Sequence, residues 1–160
     1  MDAGRCAYPL KVVVLGGRAV GSSFVGLVSD GEGGAAVLPY GRCAVTDRVS
    51  VHLYGMPAQH RYWFMWDALS RGAVAALVLA DAGRLRDSFA ALDYAAARGL
   101  PHLVAVANAD RYELGEVREA LSVGPEVPVL LTESDRSRPA REVLHAVVRY
   151  AVARRNSAAA

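Results

Sequence analysis

The chain has 160 residues, 53% hydrophobic and 21% charged, with a formal net charge of +2. That length supports one domain with one sizeable core, and so small and dispersed a charge argues against nucleic acid or an anionic lipid surface as a partner. Two cysteines, Cys6 and Cys43, make no disulfide framework and no C-x-x-C, and the longest apolar run, Ala73 to Ala80, falls far short of a membrane span.

No signal peptide or prenylation box is present, so the expectation is a cytoplasmic protein without a direct membrane anchor. Residues 1–8 and 156–160 read as flexible termini around a single domain over 9–155. The first strand, Leu10 to Leu15, runs into a glycine-rich turn and a helix from Ser22 to Val28. A strand feeding such a turn into a helix N-terminus can cradle an anion, because backbone N–H groups and the helix dipole converge there. Gly16-x4-Gly21 followed by Ser22-Ser23 has the spacing of a phosphate-binding P-loop, G-x-x-x-x-G-K-[ST]. Ser22 stands where the lysine belongs. Of the 18 basic residues only one is a lysine, Lys11, at the head of the first strand.

A mixed region, Ala35 to Arg48, leads to a strand over Val49 to Tyr54 that ends at the turn signals Gly55 and Pro57. Arg61 to Arg71 reads as a helix, Ala73 to Ala80 as a buried strand, and Arg86 to Arg98 as an amphipathic helix with Phe89, Leu92 and Ala96 on one face. Pro101 to Ala107 is the next buried strand. Tyr112 to Leu121 is a helix with Leu114, Val117 and Leu121 on its apolar face. Val127 to Leu131 is the last strand, and a final helix opening at Pro139 carries Val143, Leu144, Val147, Val148 and Val152 on one stripe. Strands alternating with helices predict an α/β fold, a doubly wound, mostly parallel sheet with helices on both faces. Ligands on such sheets sit beyond the carboxyl ends of the strands, which brings Gly16–Ser23, Gly55–His60, Ala80–Asp81 and Asn108–Asp110 to one edge.

The segments VVVLGGRAVGSSFVGLVS, LYGMPAQHRYWFMWDALSRGA, LVLADAGRL and RYELGEVREAL resemble a Ras-like small GTPase of the P-loop NTPase class. The likeness is specifically to the actinobacterial conservon GTPases, relatives of the bacterial polarity GTPase MglA. The resemblance implies a G domain that binds GTP with magnesium and works beside a Roadblock-type small protein and a sensor-kinase-like protein. The sequence departs from that pattern where the chemistry belongs. Besides the missing lysine, Ala58 in Pro57-Ala58-Gln59 replaces the switch glycine that donates to the γ-phosphate, and Ala35 to Gly41 holds no threonine for magnesium. The base-recognition motif N-x-x-D keeps Asp110 but has Ala107 for its asparagine, with Asn108 one position late. A charge-assisted hydrogen bond contributes roughly 1.5–3 kcal/mol, so losing the lysine alone weakens nucleotide binding by about one to two orders of magnitude.

The reading is therefore a pseudo-GTPase, impaired or null in GTP binding and hydrolysis, acting as an interaction or scaffold subunit. It has no required cofactor, no metal ligands and a vestigial Gln59. Residual nucleotide contacts would fall to Gly16, Gly21, Ser22, Ser23, Asn108 and Asp110. The alternative is a weak but genuine GTP/GDP switch with magnesium. The run Tyr62-Trp63-Phe64-Met65-Trp66 spans more than one helical face, and Tyr62, Trp63, Phe64 and Trp66 are expected to form the surface that docks a Roadblock-type dimer. His52, His60, His102 and His145 lack metal-ligand spacing and read as solvated. Asp81 reads as a helix cap or a loop-bracing group, since a receiver domain needs acidic residues where Gly16-Gly17 stand. A Rossmann dinucleotide site fails at Arg18, where its fingerprint requires glycine.

Overall fold

The computed structural model describes residues 8–16, 40–56, 60–132 and 137–159. The expected helix at Ser22–Val28, with Gly21, Ser22, Ser23 and Gln59, lies outside these residues. Six strands, β1 (Tyr8–Gly16), β2 (Tyr40–Ala44), β3 (Val49–Gly55), β4 (Ala75–Asp81), β5 (His102–Ala107) and β6 (Val129–Leu131), form one sheet in the order β2-β3-β1-β4-β5-β6. All neighbours pair parallel except β2 with β3, which is antiparallel. The doubly wound α/β expectation holds, with one antiparallel edge strand added.

The central strands form because their side chains are apolar on both faces. Val12, Val13, Val14 and Leu15 are all fully buried, as are Ala75 through Val78. A strand covered on both sides reads as a continuous apolar run, and each fully buried Val or Leu contributes about 1.5–3 kcal/mol. On one face Val12, Val14, Leu53 and Leu77 pack beneath Val143, Leu144 and Val147 of the long helix α4 (Ser137–Ala159). On the other, Val13, Leu15, Val78 and Val104 meet α1 (Trp66–Ser70), α2 (Phe89–Ala97) and α3 (Leu114–Leu121) through Trp66, Leu92, Val117 and Leu121.

Several expectations need correction. The segment expected as one helix over Arg61–Arg71 is a 3-10 helix over His60–Met65 followed by the five-residue α1. Consecutive bulky side chains disfavour a regular amphipathic α-turn, and a three-residue turn distributes them differently. The helix expected from Arg86 likewise begins with a 3-10 turn, Leu85–Ser88. Its buried face is Ala91, Leu92 and Ala95, not Phe89, Leu92 and Ala96; Phe89 is 40% exposed. Two alanines toward the sheet let the helix approach it closely, which turns the larger Phe89 outward. In α3, Val117 and Leu121 are buried as expected while Leu114 is exposed. The last helix continues to Ala159, through residues read as a flexible tail, in keeping with the helix propensity of its alanines and arginines.

Candidate functional site

Strands β1, β3, β4 and β5 end together at Gly16, Gly55, Asp81 and Ala107. Strand β1 lies between β3 and β4, so the chain after β1 runs to one side of it and the connection from β3 to β4 crosses to the other. The carboxyl end of β1 is therefore the switch point at which ligands bind such sheets. Gly16 occupies it. A Cβ there would stand 2.7 Å from the Leu79 backbone oxygen and 3.3 Å from Leu79 Cβ. The approach of β4 thus explains a glycine at position 16 without any phosphate.

Beside it, Asp81 braces the edge. Its Oδ1 accepts the Gly83 N–H at 2.8 Å, its backbone oxygen accepts the Arg84 N–H at 2.8 Å, and its Oδ2 accepts from Asn108 Nδ2 at 3.2 Å. Asn108 sits at a φ of 57°, a left-handed conformation that asparagine tolerates better than most residues. Its amide crosses to β4's terminal carboxylate, an arrangement that the sequence pattern did not reveal. Half-buried Ala107 stands in the register position of the expected asparagine. Asp110, three residues on, is exposed and has no hydrogen-bond or ion-pair partner among the described residues. Thr132 closes the far side, its N–H and hydroxyl both directed to the Val106 oxygen at 2.8 and 3.3 Å.

Lys11 is elsewhere. Five residues before Gly16, it lies roughly 16 Å back along β1 at about 3.3 Å per residue. Its Nζ donates to the Arg71 carbonyl at 2.7 Å and sits 4.9 Å from the centre of the Tyr54 ring. Burial lowers its pKa from the usual value. The chain's single ammonium is tied to the end of α1 and does not reach the switch point. Among the described residues no three His, Cys, Asp or Glu side chains gather as a metal site. The residues of the glycine-rich loop that would meet a phosphate lie outside the described residues.

The aromatic segment divides. Trp66 is 5% exposed and belongs to the core, with its ring 5.0 Å from Trp63 and 5.1 Å, edge-on, from Tyr94 of α2. This corrects the expectation that Trp66 lies on a docking surface: the short helix must bury something against α2, and the largest ring takes that place. Trp63 is half-buried, Phe64 is 78% exposed, and the side chain of Tyr62 lies outside the described set. Asp67 fixes the segment to α2, accepting from the Tyr94 hydroxyl at 2.8 Å and from the Arg98 guanidinium at 2.7 Å. Burial raises the Tyr94 pKa above its ordinary value, which keeps that hydroxyl a donor. The histidines correct the reading too. His52 Nδ1 lies 2.7 Å from the Tyr40 hydroxyl, and His102 is a buried strand residue rather than a solvated one.

Several known proteins are similar to this chain. The family described as "Conserved hypothetical ATP binding protein" matches residues 41–154, a span that begins after the glycine-rich loop. No curated protein sequence matches the chain. Among solved structures, the cytosolic domain of the FeoB iron transporter of T. maritima superposes with a TM-score of 0.71 at 18% identity, covering 90% of this chain. The chain spans 64% of that domain's length. The isolated G domain of the same transporter matches at 0.62 and 20% identity, over 90% of this chain and 99% of its own. The FeoB G domain of Methanococcus jannaschii matches at 0.66 and 11%, over 89% and 98%. At these identities the likeness is one of fold, and the fold is that of a G domain of the P-loop NTPase class.

Proposed function

The chain belongs to the family described as conserved hypothetical ATP binding proteins, and from that premise we propose that it is a pseudo-GTPase: a G-domain fold impaired or null in GTP binding and hydrolysis that serves as an interaction or scaffold subunit. The observation that carries this reading is the position of Lys11, the only lysine, bonded to the Arg71 carbonyl at the amino half of β1. Phosphoryl transfer depends on charge held against the β- and γ-phosphates, and Ser22 supplies none. Asn108, spent on Asp81, adds to the case, as does a packing reason for Gly16. The partner proposed is a Roadblock-type dimer in a bacterial signalling assembly, docking beside exposed Phe64. Among the described residues no helix is long and apolar enough to cross a membrane.

A second reading, a weak GTP/GDP switch with magnesium, is favoured by one observation: the exposed carboxylate of Asp110 just beyond β5, which has no partner among the described residues. Calorimetry and thermal unfolding with GTP, GDP and ATP, each with magnesium, separate the two. A ligand at 100 times its Kd stabilises the folded state by about 2.7 kcal/mol. The expected result is no heat and no shift in Tm at high micromolar nucleotide. A saturable shift with GTP or GDP that Asp110→Ala removes establishes the switch instead.

A further inference from the structure

We propose that a cavity between α2 and α3, remote from the switch point, is a binding site for a short alkylammonium group. The cavity holds about 290 Å³, at the lower end of small-ligand sites. Its apolar wall is Leu92, Leu121 and Val127, all buried, and its polar side chains are His102, Asp93, Glu126 and Ser122, whose hydroxyl donates to the Glu119 carbonyl at 3.5 Å.

His102 opens β5 and is 9% exposed. Its Nδ1 lies 2.9 Å from the Leu100 carbonyl oxygen. A carbonyl only accepts, so Nδ1 carries the hydrogen and the neutral ring presents Nε2 as an acceptor. Nε2 has no hydrogen-bond partner among the described residues, yet no fully buried side-chain nitrogen or oxygen there lacks one. Nε2 is therefore open, and the opening that His102 lines is this cavity. Asp93 and Glu126 stand exposed at its rim.

All four can accept, two of them as carboxylates, and among the described residues no lysine or arginine lines the space. The nearby Arg118 is committed: its guanidinium donates to the Val127 and Gly124 carbonyls at 2.7 and 2.6 Å and so holds the wall loop in place. An ammonium carries three donors and no acceptor, which complements this set, while its alkyl stem covers Leu92, Leu121 and Val127. A carboxylate meets two like charges, Asp93 and Glu126. The group could come from a free amine or from the lysine side chain of a partner, and the chemistry at the cavity is the same.

The test uses n-pentylamine and Nα-acetyl-lysine amide as probes, with 1-pentanol and pentanoate as controls, read by the NMR shift of the His102 ring. That resonance is assigned by its loss in His102→Gln. Both amines are expected to move it saturably, pentanol to bind at least about tenfold more weakly, and pentanoate not to bind. Asp93→Asn with Glu126→Gln should weaken the amines about tenfold or more, because charge-assisted hydrogen bonds are lost. Ala96→Phe, at an exposed position on the cavity lining, should block them in a protein that still folds. Tighter binding of the lysine amide assigns the site to a partner's side chain, and tighter binding of pentylamine to a free amine. The proposal is overturned if pentanol or pentanoate binds as well as the amines, if the paired variant binds them with unchanged affinity, or if no amine moves the His102 resonance.

Discussion

Trp66→Ala is expected to lower the unfolding free energy by about 3–5 kcal/mol, whereas Phe64→Ala leaves it within about 0.5 kcal/mol. The two rings are two residues apart, but Trp66 is 5% exposed and Phe64 78%. Removing Trp66 deletes the edge-on contact with Tyr94 and the tilted ring contact with Trp63, and opens a void in the core cluster it shares with Val13 and Leu15. Domains of this size have only about 5–15 kcal/mol in hand, so the Trp66 variant sits near its unfolding threshold. Loss of a partner in that variant therefore carries no information about docking. The informative change is Phe64→Ala. Urea denaturation reads the stability difference, and co-purification with the Roadblock-type protein reads the interface. The expected outcome is a stable Phe64→Ala protein that no longer retains its partner; normal retention sinks the docking proposal.

Gly16→Ala is the second large effect. The added methyl meets the Leu79 backbone oxygen at 2.7 Å. A backbone atom in the centre of a sheet cannot swing aside as a side-chain end can. Strands β1 and β4 must separate along the pairing that joins Val14 to Leu77 and Leu15 to Val78. Overpacking of this kind costs about 1–3 kcal/mol, expected as a fall in the urea midpoint with an unchanged slope. A neutral substitution here would mean that β4 does not require the glycine, and would return weight to a phosphate-binding role for the loop.

The central strands were legible because their burial on both faces leaves no polar alternation to confuse the pattern. The fold class and the shared carboxyl edge followed from them. Strand β2 was not legible: its Tyr40, Arg42 and Ala44 face outward and only Gly41 and Cys43 inward, so an edge ribbon resembles a loop in the sequence. Size misleads on the buried face of α2, where the small Ala91 and Ala95 are buried and the larger Phe89 is not. The five-residue aromatic run could not be apportioned without knowing that α2 offers Tyr94 as a partner. At the candidate site the missing lysine was visible at once. The bond from Asn108 to Asp81 joins residues 27 apart, and no local pattern announces it. His102 gave no signal either, since an open ring nitrogen is a property of its surroundings.

The isolation of Lys11 has a practical side. With one lysine in 160 residues, any side-chain amine chemistry on this chain, whether acylation, ubiquitin-type attachment or a chemical cross-linker, has a single ε-amine to use. Lys11 is a half-buried residue, its amine bonded to the Arg71 carbonyl and laid over Tyr54. A tag placed there would report on the amino half of the sheet and on the end of α1. The glycine-rich loop and the aromatic segment would have to be mapped through carboxylates or aromatic rings instead.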